Sequence, residues 1–175
     1  PAFLSGEGVV LHFAPEDMAR SEVLKNPALR YFSFDIDLQA YSRHLQLGAT
    51  MDLHHVPLRD DLACGIFCFH VLEHVRDDRA CIHEMYRILK PGGEAVIMVP
   101  FMMDQVETEE YGAPDPDIFD HVRGYSPRDF KHRLAPFEYE EILPRTFLSE
   151  SEVKRHAIPD SQVIYLCRKP ASSLD

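Results

Sequence analysis

The stretch from Ala63 to Val99 constrains the fold more than any other part of the chain. It opens on a continuous apolar run, Ala63 to Phe69 (ACGIFCF), and closes on a second, Ala95 to Val99 (AVIMV). Between them Cys81, Ile82, Met85, Ile88 and Leu89 recur at i, i+1, i+4, i+7 and i+8, which is one face of a helix. Asp77 stands where a side chain caps the first turn, and Lys90-Pro91-Gly92-Gly93 stops the helix sharply. Strands that are apolar throughout are covered on both faces, as in a parallel sheet with helices above and below.

The same alternation runs along the rest of the chain. Gly8 to Phe13 (GVVLHF) reads as a buried strand, and Pro15 opens a helix to about Lys25, with Glu16 and Asp17 at its positive end. Tyr31 to Ile36 reads as a second strand ending at Asp35 and Asp37. A helix over Tyr41 to Leu47 and a short strand over Ala49 to Leu53 follow. From Asp104 to Asp120 the chain is acidic and lacks Lys and Arg, with Pro114 and Pro116 breaking any regular element. That segment reads equally as a solvated connection or as a binding loop. Ser126-Pro127-Arg128-Asp129 resembles a capping box opening a helix with Phe130 and Leu134 on one side. Glu138 to Leu143 and Gln162 to Cys167 read as closing strands. The expected fold class is α/β, a three-layer sandwich with a mostly parallel sheet in one domain over 1–175, and 101–125 is the candidate lid or substrate loop.

Charge narrows the function classes. The net charge is −11, from 29 acidic against 18 basic residues, which argues against binding a nucleic-acid backbone. Arg123, Arg128, Lys131, His132 and Arg133 form the sole basic cluster and read as a solvated helix. No apolar run reaches the roughly 20 residues of a membrane span. The chain begins at Pro1 rather than Met, which leaves room for upstream residues, and Pro1-Ala2-Phe3-Leu4 does not resemble a secretion signal. Cys64, Cys68, Cys81 and Cys167 form no C-x-x-C pair and suit reduced, buried thiols in the cytoplasm. Cys64 and Cys68 would lie roughly 13 Å apart along one strand, too far to share an ion with His70. No metal is expected.

The segment HVLEHVRDDRACIHEMYRILKPGGEAVIMVP, His70 to Pro100, resembles the middle of a family of small-molecule S-adenosylmethionine methyltransferases of the Rossmann-like class I type. Upstream, MDLHHVPLRDDLACGIFCF is similar to the family's D-x-x-x-x-P-f-x-d-x-x-f-D stretch; downstream, HVRGYSPRDF is similar to its H-x-R-x-Y segment. The resemblance implies a seven-stranded, mostly parallel sheet with an antiparallel last strand. It also implies the cofactor S-adenosyl-L-methionine and methyl transfer to a nucleophilic oxygen, nitrogen or carbon of a small metabolite. The departure is at the end of the first strand. Relatives carry G-x-G-x-G there, whereas this chain reads Leu11-His12-Phe13-Ala14-Pro15-Glu16; some family members show a similar H-x-A-P-E turn.

Open α/β sheets bind ligands at the carboxyl ends of their strands, where the topology switches direction. His12, Ala14 and Glu16 then fall beside the cofactor's methionyl portion, with Glu16 set to meet its ammonium group. A carboxylate at Asp35 can accept both ribose hydroxyls, and Ile36 would flank the adenine. Asp52 resembles the family's residue near the adenine amino group, with Leu53 offering a backbone donor; a turn-forming Asp is the alternative. Phe69 and His70 would lie near the sulfonium. His70 and His121 are the candidate catalytic residues, and Arg123 and Tyr125 the candidate substrate contacts, Arg123 suiting a carboxylate or phosphate. Glu73 and His74 also lie near the acceptor's entry, His74 reading as structural. The rivals are a non-catalytic methyltransferase-like module and an NAD-linked oxidoreductase, the latter weakened by the missing dinucleotide fingerprint. Acceptor and oligomeric state stay open.

Overall fold

Residues 1–36, 48–159 and 162–171 are described by the computed structural model. Among the described residues the chain forms nine strands and four α-helices. The strands are β1 (Gly8–Phe13), β2 (Leu29–Asp35), β3 (Ala49–Thr50), β4 (Ala63–Phe69), β5 (Leu89–Met98), β6 (Glu109–Asp115), β7 (His121–Gly124), β8 (Glu138–Ile142) and β9 (Ile164–Arg168). The helices are α1 (Asp17–Leu24), α2 (Asp78–Ile88), α3 (Phe130–Arg133) and α4 (Glu150–Arg155). Seven strands form one sheet in the order β3-β2-β1-β4-β5-β9-β8. Its pairs are parallel from β3 to β5, and β9 runs antiparallel to both β5 and β8. The expected architecture, with its antiparallel last strand, is the one observed.

Strand parity divides the core. Leu11, Phe13, Ile66, Cys68, Ala95 and Ile97 point to one face, where α2 packs with Cys81, Ile82, Met85 and Ile88, each fully buried. Val10, Phe67, Phe69 and Val96 point to the other, against Val23 of α1 and Phe3 of the N-terminal turn. A Cβ at Gly65 would overlap the Phe3 ring, so glycine lets that turn lie on β4. Asp77 caps α2 as read, accepting from the Ala80 N–H at 2.9 Å.

Several local expectations are corrected. The strand after the helix begins at Leu89, not Ala95. Lys90 to Gly93 does not merely end α2 but runs on as an irregular start to β5, where Gly92 adopts φ 77° and hydrogen bonds pass to Lys169. β3 is shorter than Ala49 to Leu53 because Asp52 turns the chain. The Asp104–Asp120 segment holds strand β6, paired antiparallel with β7 despite Pro114. The Ser126–Asp129 capping box is not made: Ser126 Oγ donates to the Gln105 or Val106 carbonyl, and Asp129 accepts from Thr108. A true capping box occurs at Ser149 and Glu152, opening α4. The helix expected over Tyr41 to Leu47 lies outside the described residues.

Candidate active site at the carboxyl edge of the sheet

Strand register brings the candidate residues to one edge. Phe34 pairs with Phe13, Phe13 with Cys68, and Cys68 with Ile97; one step further, Asp35 pairs with Thr50 and Phe69 with Met98. Ala14, Asp35 and Phe69 therefore stand in one row, just past the last shared rung. From β1 the chain winds outward through β2 to β3, then crosses back to β4, so the switch point falls between β1 and β4.

Both strands that flank the switch point end on a strained, non-glycine residue. Ala14 adopts φ 50° and His70 φ 55°, a left-handed conformation that costs an L-residue about 1–2 kcal/mol. Such strain collects at functional sites, where the surroundings over-determine it. At Ala14 the surroundings are visible. Its N–H donates to the Phe34 carbonyl at 2.9 Å. The fully buried His12 ring, two residues earlier in β1, accepts the Glu16 N–H at Nε2 (3.4 Å) and faces the Tyr31 hydroxyl through Nδ1 at 2.9 Å. An Nε2 that accepts leaves the proton on Nδ1, so Nδ1 donates to Tyr31. Burial lowers the His12 pKa to about 4, keeping the ring neutral, and pushes the Tyr31 hydroxyl up to about 12. With no exposed surface and both nitrogens engaged, the His12 side chain holds the turn rather than lining the open edge where the cofactor contact was expected.

On the far side, Asp35 is half-buried at the end of β2, its carbonyl accepting the Met51 N–H, and Ile36 is exposed beyond it. Asp52 commits Oδ1 to the His54 backbone N–H (2.9 Å) and ring (2.7 Å), which lower its pKa. The turn-forming alternative therefore accounts for that oxygen. The Leu53 side chain is buried in the core. Phe69 is half-buried, edge-on to His12 and Phe67.

The loop after β4 brings distant residues together. The His70 ring, 47% exposed, lies 3.5 Å from the Glu73 carboxylate; that contact, and the nearby Glu16 charge, raise its pKa. His121 at the start of β7 sits against His74, with ring centroids 4.9 Å apart, and burial lowers its pKa. The two expected catalytic histidines, 51 residues apart, thus converge around Glu73.

Arg123 and Tyr125 are corrected. The Arg123 guanidinium, 2% exposed, donates to the carbonyls of Leu72 and Val75 at 2.6 Å and of Arg76 at 2.9 Å, and its Nε to Glu110 at 2.9 Å. Tyr125 is fully buried, its hydroxyl 2.8 Å from Asp78 and 3.0 Å from the Leu72 carbonyl. The polar groups of both are engaged within the fold rather than open to a substrate, and both clamp the loop that carries Glu73 and His74. Arg133 joins them through Asp78 and Glu110, so the basic cluster is in part a buried ion network and not a solvated helix. No sequence pattern announces such a clamp, because the carbonyls lie 47 to 51 residues upstream of Arg123.

These features place the chain in the Rossmann-like methyltransferase fold. Residues 17–97, somewhat under half of the chain, match the family model described as a methyltransferase domain. Among solved structures, an S-adenosylmethionine-dependent methyltransferase from Mesorhizobium loti is 13% identical, with a TM-score of 0.68 over 93% of this chain and 91% of its own. Phosphoethanolamine N-methyltransferase 2 of Haemonchus contortus, in complex with S-adenosyl-L-methionine, is 14% identical, with a TM-score of 0.60 over 94% of this chain and 49% of its own. The [4+2]-cyclase SpnF is as similar, at 13% identity and a TM-score of 0.66 over 95% of this chain and 77% of its own. No curated protein sequence matches. A cyclase among the neighbours shows that the scaffold alone does not name a reaction.

Proposed function

We propose that this protein transfers the methyl group of S-adenosyl-L-methionine to a nucleophilic oxygen, nitrogen or carbon of a small metabolite. The observation that carries the proposal is the pair of strained turns at Ala14 and His70, facing each other across the switch point with Asp35 beside them. The residues fit the cofactor. Ala14 supplies a small side chain in the turn where glycines otherwise let a ligand approach the backbone. In this reading Asp35, half-buried at the end of β2, accepts the ribose hydroxyls, with the exposed Ile36 against the adenine and the Asp52–Leu53 turn beyond it. Glu16 is exposed at the N-terminus of α1, positioned for the ammonium group.

When bound, the cofactor supplies an electrophilic methyl on its sulfonium, so the protein's task is chiefly positioning and exclusion of water. Phe69 walls the edge, and His70 and His121 are the groups able to take a proton from the acceptor. The β6–β7 hairpin rims the acceptor side as the proposed lid, fixed at its root by the Val122 N–H to the Glu73 carbonyl at 2.8 Å. Its acidic face and the net charge suit a small acceptor over a nucleic acid. Among the described residues no helix is long and apolar enough to cross a membrane. The four unpaired thiols fit a reducing cytoplasm.

Isothermal titration with S-adenosyl-L-methionine, followed by assay of S-adenosylhomocysteine formation in a metabolite extract, tests this. Micromolar binding and product formation are expected. Absence of binding at millimolar cofactor contradicts the reading, and binding without product selects a non-catalytic module.

A further inference from the structure

We propose that Glu73, His74 and His121 form a binding site for a divalent transition-metal cation of the zinc class. Among the described residues they are the one group of three whose ligand atoms lie within 4.8 Å of one another. In a tetrahedral site, ligands about 2.1 Å from one ion stand about 3.4 Å apart, so side-chain rotations that close the three donor atoms by roughly 1 Å complete the site.

Three features of the surroundings point to an ion. First, Glu73 is only 1% exposed, and its Oε2 has no hydrogen-bond partner among the described residues, while Oε1 faces His70 at 3.5 Å. A buried carboxylate oxygen left unpaired is costly, and a cation held between it and the two imidazoles removes that cost. Second, His74 Nδ1 lies 3.4 Å from the Asp120 carbonyl, which can only accept. The proton is thereby held on Nδ1, and Nε2 presents a lone pair, the arrangement by which metal-bound histidines are oriented. Third, the ligands stand on two segments locked to each other by the Arg123 clamp and by the Val122 N–H to the Glu73 carbonyl. The site is therefore held in place before any ion arrives.

Two imidazoles and a carboxylate suit Zn²⁺, Co²⁺ or Fe²⁺ over Mg²⁺ or Ca²⁺, which prefer all-oxygen sets. Three protein ligands leave a fourth position for water or for an oxygen of a small ligand. The site rests on its own geometry, whatever reaction the neighbouring strand ends support. With His121 engaged as a ligand, His70 is left as the group available for proton transfer.

The test uses the full 175-residue chain, freed of metal and titrated with Co²⁺ while its visible absorption is followed. The expected result is one saturable band per chain, abolished by Zn²⁺, with affinity weakened more than about 100-fold in H74A and in H121A. H156A, which removes an exposed histidine beyond α4, should leave binding unchanged. Zn²⁺ should raise the melting temperature of the wild type but not of H74A. His74 is exposed, so H74A stays decisive even where H121A fails to fold. No saturable band, or a band retained in H74A, overturns the proposal. Because no S-adenosyl-L-methionine is present, its failure is distinct from failure of the methyl-transfer reading.

Discussion

The turn after β1 and the turn after β4 solve the same problem with different means. Each leaves a neighbouring strand through a left-handed residue that is not glycine, Ala14 in one and His70 in the other. The first turn is held by a neutral imidazole: His12 supplies one acceptor and one donor from beneath and carries no charge. The second is held by a cation: Arg123 gathers three carbonyls of the loop and is answered by Glu110 and Asp78. A neutral holder suits a place where a small side chain must be presented without a competing charge. A charged clamp suits a loop that must keep a buried carboxylate, Glu73, in a fixed place. In both turns a buried polar side chain reaching across the fold does what local glycine chemistry does elsewhere.

The largest expected effect lies in the second turn. Arg123→Met removes the clamp, orphans three carbonyls and leaves Asp78 with one fewer cation; the loss should be about 3–5 kcal/mol in urea unfolding. A loss below about 1 kcal/mol would show that the loop does not depend on the clamp. The first turn should respond to pH instead. His12 is neutral when folded, its pKa lowered to about 4, whereas the unfolded chain titrates near 6.5. Between those values the unfolded state binds a proton that the folded state refuses, so stability falls as pH drops from about 6.5 to about 4. The full span is about 3 kcal/mol. Urea melts across that window should show the slope in the wild type and lose it in His12→Gln; an equal slope in both would remove His12 as its source. The smallest effect is at Ala14. Ala14→Gly relieves the positive φ and should stabilise by up to about 1 kcal/mol, whereas Ala14→Val should destabilise by more than that. Destabilisation by glycine would mean the Ala14 methyl packs more than it strains.

The same contrast explains what the amino-acid sequence disclosed. The sheet and α2 were legible because burial writes its period directly: the helical positions Cys81, Ile82, Met85 and Ile88 are all fully buried, as their spacing required. The strand ends at Ala14, Asp35 and Phe69 were legible for the same reason, since an apolar run ends where the sheet does. The β6–β7 hairpin was not, because an exposed ribbon takes its order from cross-strand pairing and from Glu110 meeting Arg123 and Arg133, not from an apolar alternation. The partners of Arg123 and Tyr125 are not legible, because a basic or hydroxyl side chain carries no mark of whether it meets a substrate or a carbonyl 47 to 53 residues away. The cluster of Glu73, His74 and His121 was hidden by the same distance. The Ser149–Glu152 cap, by contrast, is written in the sequence as S-x-x-E, close to the S-x-x-D that Ser126 opens without forming the box.

The most direct measurement is a crystal structure with S-adenosylhomocysteine bound. Both ribose hydroxyls should lie within hydrogen-bonding distance of Asp35, with the sulfur over the gap between Ala14 and His70. A ribose held elsewhere, or a ligand lying away from the β1–β4 switch point, would contradict this placement.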